Sequence, residues 1–327
     1  MKICFVLTTR GNYGKLKTLI ELFRSDSDFD VQIIANDEAF IEPDFKLRFF
    51  VSGGNHEAIG HTAALACEQF ALAFTNLKPD AVVLVGDRYE TLAAAFMANC
   101  MNIPVVHLEG GEKSGTIDET FRHAITKLSH MHFACTWKAA QRIRHMGEQY
   151  AYNVGATSLD IIEQHKTEPS PYKEPYLLVI YHPVATARED TPVFNRAVYS
   201  FLMNTIWIDS NYDANCQFIK HYTHGSIPIE KFVPILNHAS CIIGNSSTGV
   251  REASYLGIPS VNVGSRQNGR EKVSNVLDVG YDYDAIVSVI NGQLSHGRYK
   301  PDFTYGDGTA SQQIYQILKN TNLNIQK

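Results

Sequence analysis

The sequence predicts an α/β protein with two domains, each built around a parallel β-sheet. Short apolar runs alternate with longer amphipathic stretches almost from end to end, and this pattern favours right-handed βαβ units. The length of 327 residues suits about two domains of about 150 residues each. A polar stretch at 163–174, with prolines at positions 169 and 171, indicates a boundary near residue 168. We therefore expect one domain over residues 1–168 and a second over 169–327.

The predicted elements follow in order along the chain. In the first half, five short runs have the length and branching of buried strands, at 2–7, 31–35, 81–85, 104–107 and 132–135. The amphipathic stretches between them predict helices at 15–24, 57–75, 89–101 and 118–129. In the second half, the clearest strands are 176–181, 241–244 and 260–263. A last helix at 309–318 has a pattern that would let it pack back on the first domain.

Composition and charge exclude several classes of protein. Hydrophobic residues make up 44% and charged residues 19%, which excludes a disordered chain, a collagen-like chain and a coiled-coil rod. The net charge of −5 gives no basic surplus for coating a nucleic acid. We expect no signal peptide and no membrane partner, because no apolar run approaches the ~18 residues of a membrane helix. The six cysteines form no CxxC motif and are expected as reduced thiols of a cytoplasmic protein.

Ligands of parallel α/β sheets bind where the strands end, so the loops after strands carry the candidate site. The first strand leads into a loop at 8–14 that contains Arg10 and ends in Gly14. Glycine allows a tight turn, the next helix offers free N–H groups, and Arg10 adds a positive charge. The loop does not match GxGxxG, so a dinucleotide fingerprint is absent, and an ordinary βα turn is the alternative.

Two later loops of the first half are rich in ionisable groups. Asp87 and Arg88 follow the strand at 81–85, where they could bind a ligand, pair with each other or cap the next helix. The loop 107–119 places Glu109 and Asp118 among three glycines. Such a density of charge beside a buried strand is costly unless it serves a site, and carboxylates can move protons. Asp118 has a simpler alternative role as the cap of the following helix.

Three histidines lie near this loop, at positions 123, 130 and 132. No cysteine or carboxylate stands at a spacing from them that matches a zinc site. We therefore expect core or surface histidines there and no metal.

In the second half, the loops after two strands predict an anion site. His182 follows the strand at 176–181 directly. The strand at 241–244 runs into a hydroxyl-rich turn that contains Ser246 and Ser247 and opens a helix, an arrangement suited to a diphosphate. The segment lacks GxxxxGK[ST], so it is no P-loop.

Two charged residues flank that turn. Glu252 lies at the start of the helix and could accept hydrogen bonds from ribose hydroxyls or simply oppose the helix dipole. The loop 264–270 contains two glycines and two arginines, among them Arg266, which could reach the same anion or remain solvated on the surface.

Together these loops resemble the hydrolysing UDP-N-acetylglucosamine 2-epimerases of the sialic-acid pathway. The matching motifs occur in the expected order along nearly the whole chain: Arg10-x-x-Tyr13, Gly86-Asp87-Arg88-Tyr89-Glu90, the run from His107 to His130, His182-Pro183, the segment from Gly244 to Glu252, and the loop from Gly264 to Arg270. The run Glu-Gly-Gly-Glu-x-Ser-Gly-Thr-Ile-Asp-Glu looks like the hydrolysing branch of that family, because the non-hydrolysing enzymes differ in this loop.

The resemblance implies two Rossmann-like domains of the GT-B type facing each other across a cleft that binds a UDP-sugar. It implies elimination of UDP to a 2-acetamidoglucal, followed by hydration to free N-acetylmannosamine, with no metal or other cofactor. It implies a homodimer as well. The catalytic positions that it implies are Asp87, Glu109, Asp118 and His182. The nucleotide-binding positions that it implies are Arg10, Gly14, Arg88, Asn211, Ser246, Ser247, Glu252 and Arg266.

The leading hypothesis from the sequence is hydrolysing epimerisation of UDP-GlcNAc. The same chemistry on a UDP-2,4-diacetamido-2,4,6-trideoxy sugar is a close alternative, because both branches share these loops. A non-hydrolysing epimerase is a further alternative. A GT-B glycosyltransferase and a catalytically silent nucleotide-sugar binder are alternatives of a different class, although they would leave the acids at 109–118 without a task.

Overall fold

A computed structural model of the chain describes residues 1–36, 41–51, 55–173, 175–182, 184, 191–208 and 227–323, without the side chain of Arg10. The contacts divide the chain into two compact units. The first comprises Met1–Glu112, Asp118–Ile161 and Gly306–Lys327. The second comprises Lys113–Ile117 and Ile162–Tyr305, so neither unit is a continuous piece of chain.

The first unit contains a parallel sheet in which seven strands are described, in the order β3-β2-β1-β4-β5-β6-β7. This order is the one found in Rossmann folds. Strands β2 and β3 lie on one side of β1, and strands β4 to β7 lie on the other side. The strands are β1 (Lys2–Leu7), β2 (Asp30–Ala35), β3 (Phe45–Lys46), β4 (Ala81–Val85), β5 (Val105–Leu108), β6 (Met131–Ala134) and β7 (Ala151–Asn153).

Helices cover both faces of this sheet. They are α1 (Arg10–Arg24), α2 (His56–Leu77), α3 (Tyr89–Cys100), α4 (Asp118–Leu128), α5 (Trp137–His145), α6 (Ser158–His165) and, from the end of the chain, α11 (Ala310–Lys319). The division between the units falls inside α6.

The central strand β1 shows why the sequence forms a buried parallel sheet. Its residues after Lys2 are buried and apolar, as expected of a strand covered on both faces. Ile3 and Phe5 point into the cluster beneath α1 and α11, whereas Cys4 and Val6 point into the cluster beneath α2 and α3. The alternation of successive side chains thus supplies two cores from one strand.

The last helix, α11, is fastened to the first unit at both of its ends. The buried carboxylate of Asp160 accepts hydrogen bonds from the backbone N–H groups of Ala310 (2.9 Å) and Ser311 (2.6 Å), which are orphan donors of the first helical turn. In the last turns, Tyr315 and Lys319 both donate to Asp26 at 2.5 Å. This helix packs against α1.

The second unit contains a parallel sheet in which five strands are described, in the order β12-β11-β10-β8-β9. The strands are β8 (Tyr176–Ile180), β9 (Asn204–Ile208), β10 (Cys241–Gly244), β11 (Ser260–Val263) and β12 (Val276–Val279). The helices are α7 (Thr191–Tyr199), α8 (Ile229–Asn237), α9 (Glu252–Leu256) and α10 (Tyr283–His296). The central strands β8 and β10 are wholly buried and lie between two apolar clusters.

One element begins earlier than the sequence predicts. Helix α1 starts at Arg10 and not at residue 15, so Gly14 lies inside the helix and not in a loop. Asn12 explains the difference, because its amide oxygen accepts hydrogen bonds from the Thr9 N–H (2.9 Å) and the Thr8 hydroxyl (3.2 Å) and so closes the first turn.

In the part of the chain that the structure describes, no helix is both long and apolar enough to cross a bilayer.

Candidate active site

The sequence-predicted residues of the first unit gather where β1, β4 and β5 end. These three strands are neighbours in the sheet, and parallel strands bring their carboxyl ends to one edge. Asp87 and Arg88 follow β4, and Glu109 follows β5. Arg10 and Gly14 lie on α1, directly after β1.

Asp87 is held by a buried arginine. The Nη2 group of Arg122, on α4, donates a short hydrogen bond to Oδ2 of Asp87. Arg122 is only 1% exposed, whereas the Asp87 side chain remains partly open to solvent. A buried guanidinium beside a carboxylate favours the ionised form of that carboxylate.

Arg88 pairs with Glu90. Its Nε and Nη2 groups donate to the two carboxylate oxygens of Glu90 at 3.1 and 3.0 Å, which makes a bidentate pair. Glu90 is fully buried. The guanidinium of Arg88 is thereby fixed at the start of α3, next to Asp87.

Glu109 occupies a strained position at the end of β5. Its φ of 64° lies in the left-handed region that non-glycine residues rarely adopt. Its carboxylate is buried, and Oε2 accepts a hydrogen bond from the ammonium group of Lys15 at 2.6 Å. Strained backbone of this kind concentrates at functional sites, where the surrounding structure maintains it.

The buried imidazole of His107 contacts the loop that follows β4. The Nε2 group of His107 donates to the backbone oxygen of Gly86 at 2.8 Å, which fixes the backbone just before Asp87. Because a carbonyl only accepts, this bond assigns the proton to Nε2. Burial lowers the pKa of His107 to about 4, so the ring is neutral near pH 7.

The glycines of the loop allow this close packing. A Cβ atom at Gly110 would lie 2.9 Å from Nδ1 of His107, and one at Gly111 would lie 2.3 Å from the backbone oxygen of Ala139. Gly111 has a positive φ of 77°. The loop can therefore approach the sheet and α5 only with glycine at both positions.

Asp118 is the first residue of α4, so it lies inside the helix and does not precede it as a cap would. Its side chain is half-buried. The five residues before it, Lys113–Ile117, belong to the second unit. The sequence-predicted loop 107–119 is thus divided between the two units, with Glu109 and Asp118 in the first.

In the second unit, Asn245 joins the ends of three neighbouring strands. Its side chain accepts a hydrogen bond from the backbone N–H of His182 and donates one to the backbone oxygen of His182, both at 2.7 Å. Its own backbone oxygen accepts from Arg266 at 3.1 Å and from Gln267 at 2.7 Å. The fully buried Asn245 therefore fixes His182 and Arg266 relative to each other.

The segment Lys113–Ile117 packs on the Arg266 loop. The backbone N–H of Gly115 donates to the backbone oxygen of Arg266 at 3.2 Å. A Cβ atom at Gly115 would lie only 1.9 Å from the backbone oxygen of Ser265. A residue larger than glycine would therefore displace one of the two segments.

The hydroxyl-rich turn after β10 is short. Residues Ser247–Gly249 form one turn of 3₁₀ helix, whose first N–H groups include that of Thr248, bonded to the Ser246 hydroxyl at 3.3 Å. Helix α9 follows with only five residues and begins at Glu252, which is buried. The sequence-predicted helix start is thus divided into two short pieces, with Ser246 and Ser247 at the start of the first and Glu252 at the start of the second.

Asn211 and Pro183 lie outside the described residues. Three residues to which sequence reasoning gave no role are Lys15, Arg122 and Asn245. Each had a weak signal: Lys15 follows the first loop, Arg122 lies one turn after Asp118 on α4, and Asn245 follows a strand directly. Within the described residues, no cluster of His, Cys, Asp or Glu could hold a metal ion.

Comparison with solved structures confirms the predicted fold class. The UDP-GlcNAc 2-epimerase of Methanocaldococcus jannaschii, solved in complex with UDP-GlcNAc and UDP, aligns with a TM-score of 0.79 and 18% identity. The alignment covers 98% of this chain and all of that one. The protein is therefore an α/β protein of two Rossmann-like units, as in GT-B folds.

Comparison of sequences gives the family. The chain is 34% identical to a UDP-N,N'-diacetylbacillosamine 2-epimerase (hydrolyzing) of Legionella pneumophila, over 99% of this chain and 97% of the relative. It is 29% identical to a UDP-N-acetylglucosamine 2-epimerase of Neisseria meningitidis, over 98% and 95%. The family model described as UDP-N-acetylglucosamine 2-epimerase matches residues 25–319. The chain is an enzyme of the UDP-N-acetylglucosamine 2-epimerase family.

Proposed function

We propose that this enzyme is a hydrolysing 2-epimerase of UDP-2,4-diacetamido-2,4,6-trideoxyglucose, the UDP-N,N'-diacetylbacillosamine in the name of the Legionella relative. The products are UDP and free 2,4-diacetamido-2,4,6-trideoxymannose. The observation that carries the proposal is the 34% identity to that relative over 99% of the chain. The leading substrate from the sequence, UDP-GlcNAc, becomes the second candidate, supported by the 29% identity to the Neisseria enzyme.

The hydrolytic outcome is supported by the loop between β5 and α4. Its run from Glu109 to Glu119 resembles the hydrolysing branch of the family. Hydrolysis requires a water molecule to attack the sugar after UDP has left, so the site must move protons twice.

The first step is elimination of UDP. A base removes the proton on C2, the C2–H electrons form the C1=C2 bond, and the C1–O bond breaks with its electrons leaving on the diphosphate. Asp87 and Glu109 lie at adjacent strand ends in the first unit, and Asp118 begins α4 of the same unit. We assign proton movement to these three carboxylates.

The second step is hydration of the glycal. Water adds its hydroxyl to C1, and a proton returns to C2 on the face opposite to the one from which it was removed, which inverts that centre. The ammonium group of Lys15 at 2.6 Å supplies a positive charge beside the Glu109 carboxylate. A second carboxylate is thereby kept ionised in a buried position, where it can direct water or accept its proton.

The loops of the second unit are assigned to the nucleotide. Ser246 and Ser247 are proposed to bind the diphosphate and Glu252 the ribose. His182 is proposed to contact the diphosphate and protonate it as it leaves. Further nucleotide contacts are assigned to Arg10, Gly14, Arg88, Asn211 and Arg266. The fixed relation of His182 and Arg266 through Asn245 supports their joint action on one anion.

Proton NMR of the purified enzyme with each of the two UDP-sugars, without added metal or nicotinamide, tests the proposal. We expect free 2,4-diacetamido-2,4,6-trideoxymannose and UDP, with a larger kcat/KM for the diacetamido substrate than for UDP-GlcNAc. A larger kcat/KM for UDP-GlcNAc would make UDP-GlcNAc the substrate in place of the diacetamido sugar. A product that keeps its UDP would contradict hydrolysis.

A further inference from the structure

Arg122 joins two loops of the first unit through one buried guanidinium. Its Nη2 group donates to the Asp87 carboxylate in the loop after β4. Its Nη1 group donates to the backbone oxygen of Glu112 at 2.9 Å, in the loop after β5. One side chain thus fixes the direction of the Asp87 carboxylate and the end of the loop that starts at Glu109.

This double contact requires arginine. The guanidinium is planar and presents its donors in a fixed fork, so two acceptors on separate loops are held at a set distance. A lysine ammonium at the same place would supply the positive charge but would lack the fixed pair of donors that reaches both acceptors. Because Arg122 is only 1% exposed, its cation is stabilised by protein acceptors, these two among them, and not by water.

The backbone on either side of Asp87 is held independently of Arg122. His107 donates to the Gly86 oxygen at 2.8 Å, and the Gly86 N–H donates to the Leu108 oxygen at 3.2 Å. On α4, the Thr126 hydroxyl donates to the backbone oxygen of Arg122 at 2.9 Å. A loss of Arg122 should therefore weaken the hold on the Asp87 side chain while its backbone stays in place.

We propose that Arg122 is a positioning residue, which keeps Asp87 ionised and correctly directed and so gives it the role of a proton acceptor. The inference rests on the proposed function, in which Asp87, Glu109 and Asp118 share the proton transfers without a division among them. A carboxylate bound by a buried guanidinium begins the reaction without its proton, so Asp87 accepts a proton before it can donate one.

A double-mutant cycle tests whether Arg122 acts through Asp87. In Arg122→Met we expect kcat to fall about 100-fold, the size of loss typical of a misplaced catalytic group, with KM changed less than about threefold. Arg122→Lys should be as impaired, because it lacks the fork. The double variant with Asp87→Asn should be no slower than Asp87→Asn alone. The proposal would be overturned if the fall in kcat of the double variant were the product of the falls in the two single variants. It would also be overturned if Arg122→Met changed KM alone.

Arg144→Ala is the matched control. Arg144 lies on α5 of the same unit and donates to the backbone oxygen of Ala151 at 2.6 Å, away from the acid-bearing loops. We expect its kcat to equal that of the wild type. Added guanidinium ion should restore part of the activity of Arg122→Ala and none of the activity of Asp87→Asn. Failure of this rescue, together with multiplied losses in the cycle, would exclude a positioning role.

Hydrogen exchange separates this proposal from the proposed function. Without any substrate, amide exchange at 110–112 should accelerate in Arg122→Met and Arg122→Lys but not in Arg144→Ala, and exchange at Gly86 should be unchanged in all three. If the wild type converts neither UDP-sugar, the proposed function is wrong. The exchange pattern still tests the contact between Arg122 and the Glu112 backbone oxygen. Unchanged exchange at 110–112 would contradict the contribution of the Glu112 contact, whatever the activity.

Discussion

At the scale of single residues, Asn245 links the ends of three strands of the second unit. It bonds the backbone of His182 at the end of β8 and accepts from Arg266 and Gln267 after β11. A fully buried amide with all of these partners is costly to disturb, because each lost contact would leave a buried polar group unpaired. His182 and Arg266, both assigned to the nucleotide, therefore owe their positions to a residue with no proposed contact to substrate.

Variants of Asp118 and Arg266 should separate chemistry from binding. We expect Asp118→Asn to bind UDP with the affinity of the wild type but to lose turnover, because it removes a proposed proton carrier. We expect Arg266→Ala to weaken UDP binding about tenfold or more, as for loss of a charge-assisted hydrogen bond. Calorimetric titration with UDP and the NMR assay give the two readouts.

Asp284→Asn is the control for Asp118, since Asp284 also lies in the first turn of a helix, α10, but on the surface. It should change neither UDP binding nor turnover. Equal losses of UDP affinity in Asp118→Asn and Arg266→Ala would contradict the separate roles.

The sequence predicted the position of most candidate residues but not the contacts among them. Asp87, Glu109, His182 and the serines of the β10 turn follow strands, and the period of the apolar runs locates strands well. Their partners come from far along the chain: Lys15 is 94 residues from Glu109, and Arg122 is 35 residues from Asp87. Such pairs arise only when strands distant in sequence become neighbours in the sheet.

At the scale of elements, the buried central strands were predictable because they are continuous apolar runs. Strands β1, β4 and β10 have the predicted bounds. Edge strand β3 has two residues and β7 has three, too few for a periodic signal, so they were not predicted. The early start of α1 depends on the Asn12 cap, a local hydrogen bond that the apolar pattern does not encode.

The attachment of α11 should depend on pH. The hydrogen bonds from Lys319 and Tyr315 lower the pKa of Asp26 from 3.8 to about 2. The unfolded chain therefore takes up this proton at higher pH than the folded one, so the stabilisation exists above about pH 4 and is lost as the pH falls towards 2. We expect the Tm difference between wild type and Asp26→Asn to shrink over that range.

Asp28→Asn is the control for this prediction. Asp28 lies 3.9 Å from the same lysine and is exposed, and its replacement keeps both hydrogen bonds at Asp26. It should lower the Tm less than Asp26→Asn does at neutral pH. A Tm difference for Asp26→Asn that stays constant from pH 5 to pH 2 would show that Asp26 does not stabilise α11 through its charge.

At the scale of the whole molecule, we expect a homodimer, as the family resemblance implies. Multi-angle light scattering at working concentration should give a mass twice that of the chain. Dilution should leave the mass unchanged if the dimer is tight. A mass equal to that of one chain at all concentrations would contradict the homodimer. It would not contradict the proposed reaction.

The division of the chain has a consequence for how the protein can be cut. The second unit takes Lys113–Ile117 from the first half, and the first unit takes Gly306–Lys327 from the end of the chain. A fragment that stops at Ile161 would lack α11 and leave the Asp160 carboxylate without its two N–H partners. The complementary fragment would lack the segment that packs on the Arg266 loop. Two pieces expressed separately should therefore fold only when a circular permutation or a short linker joins Gly306–Lys327 to the first unit and Lys113–Ile117 to the second.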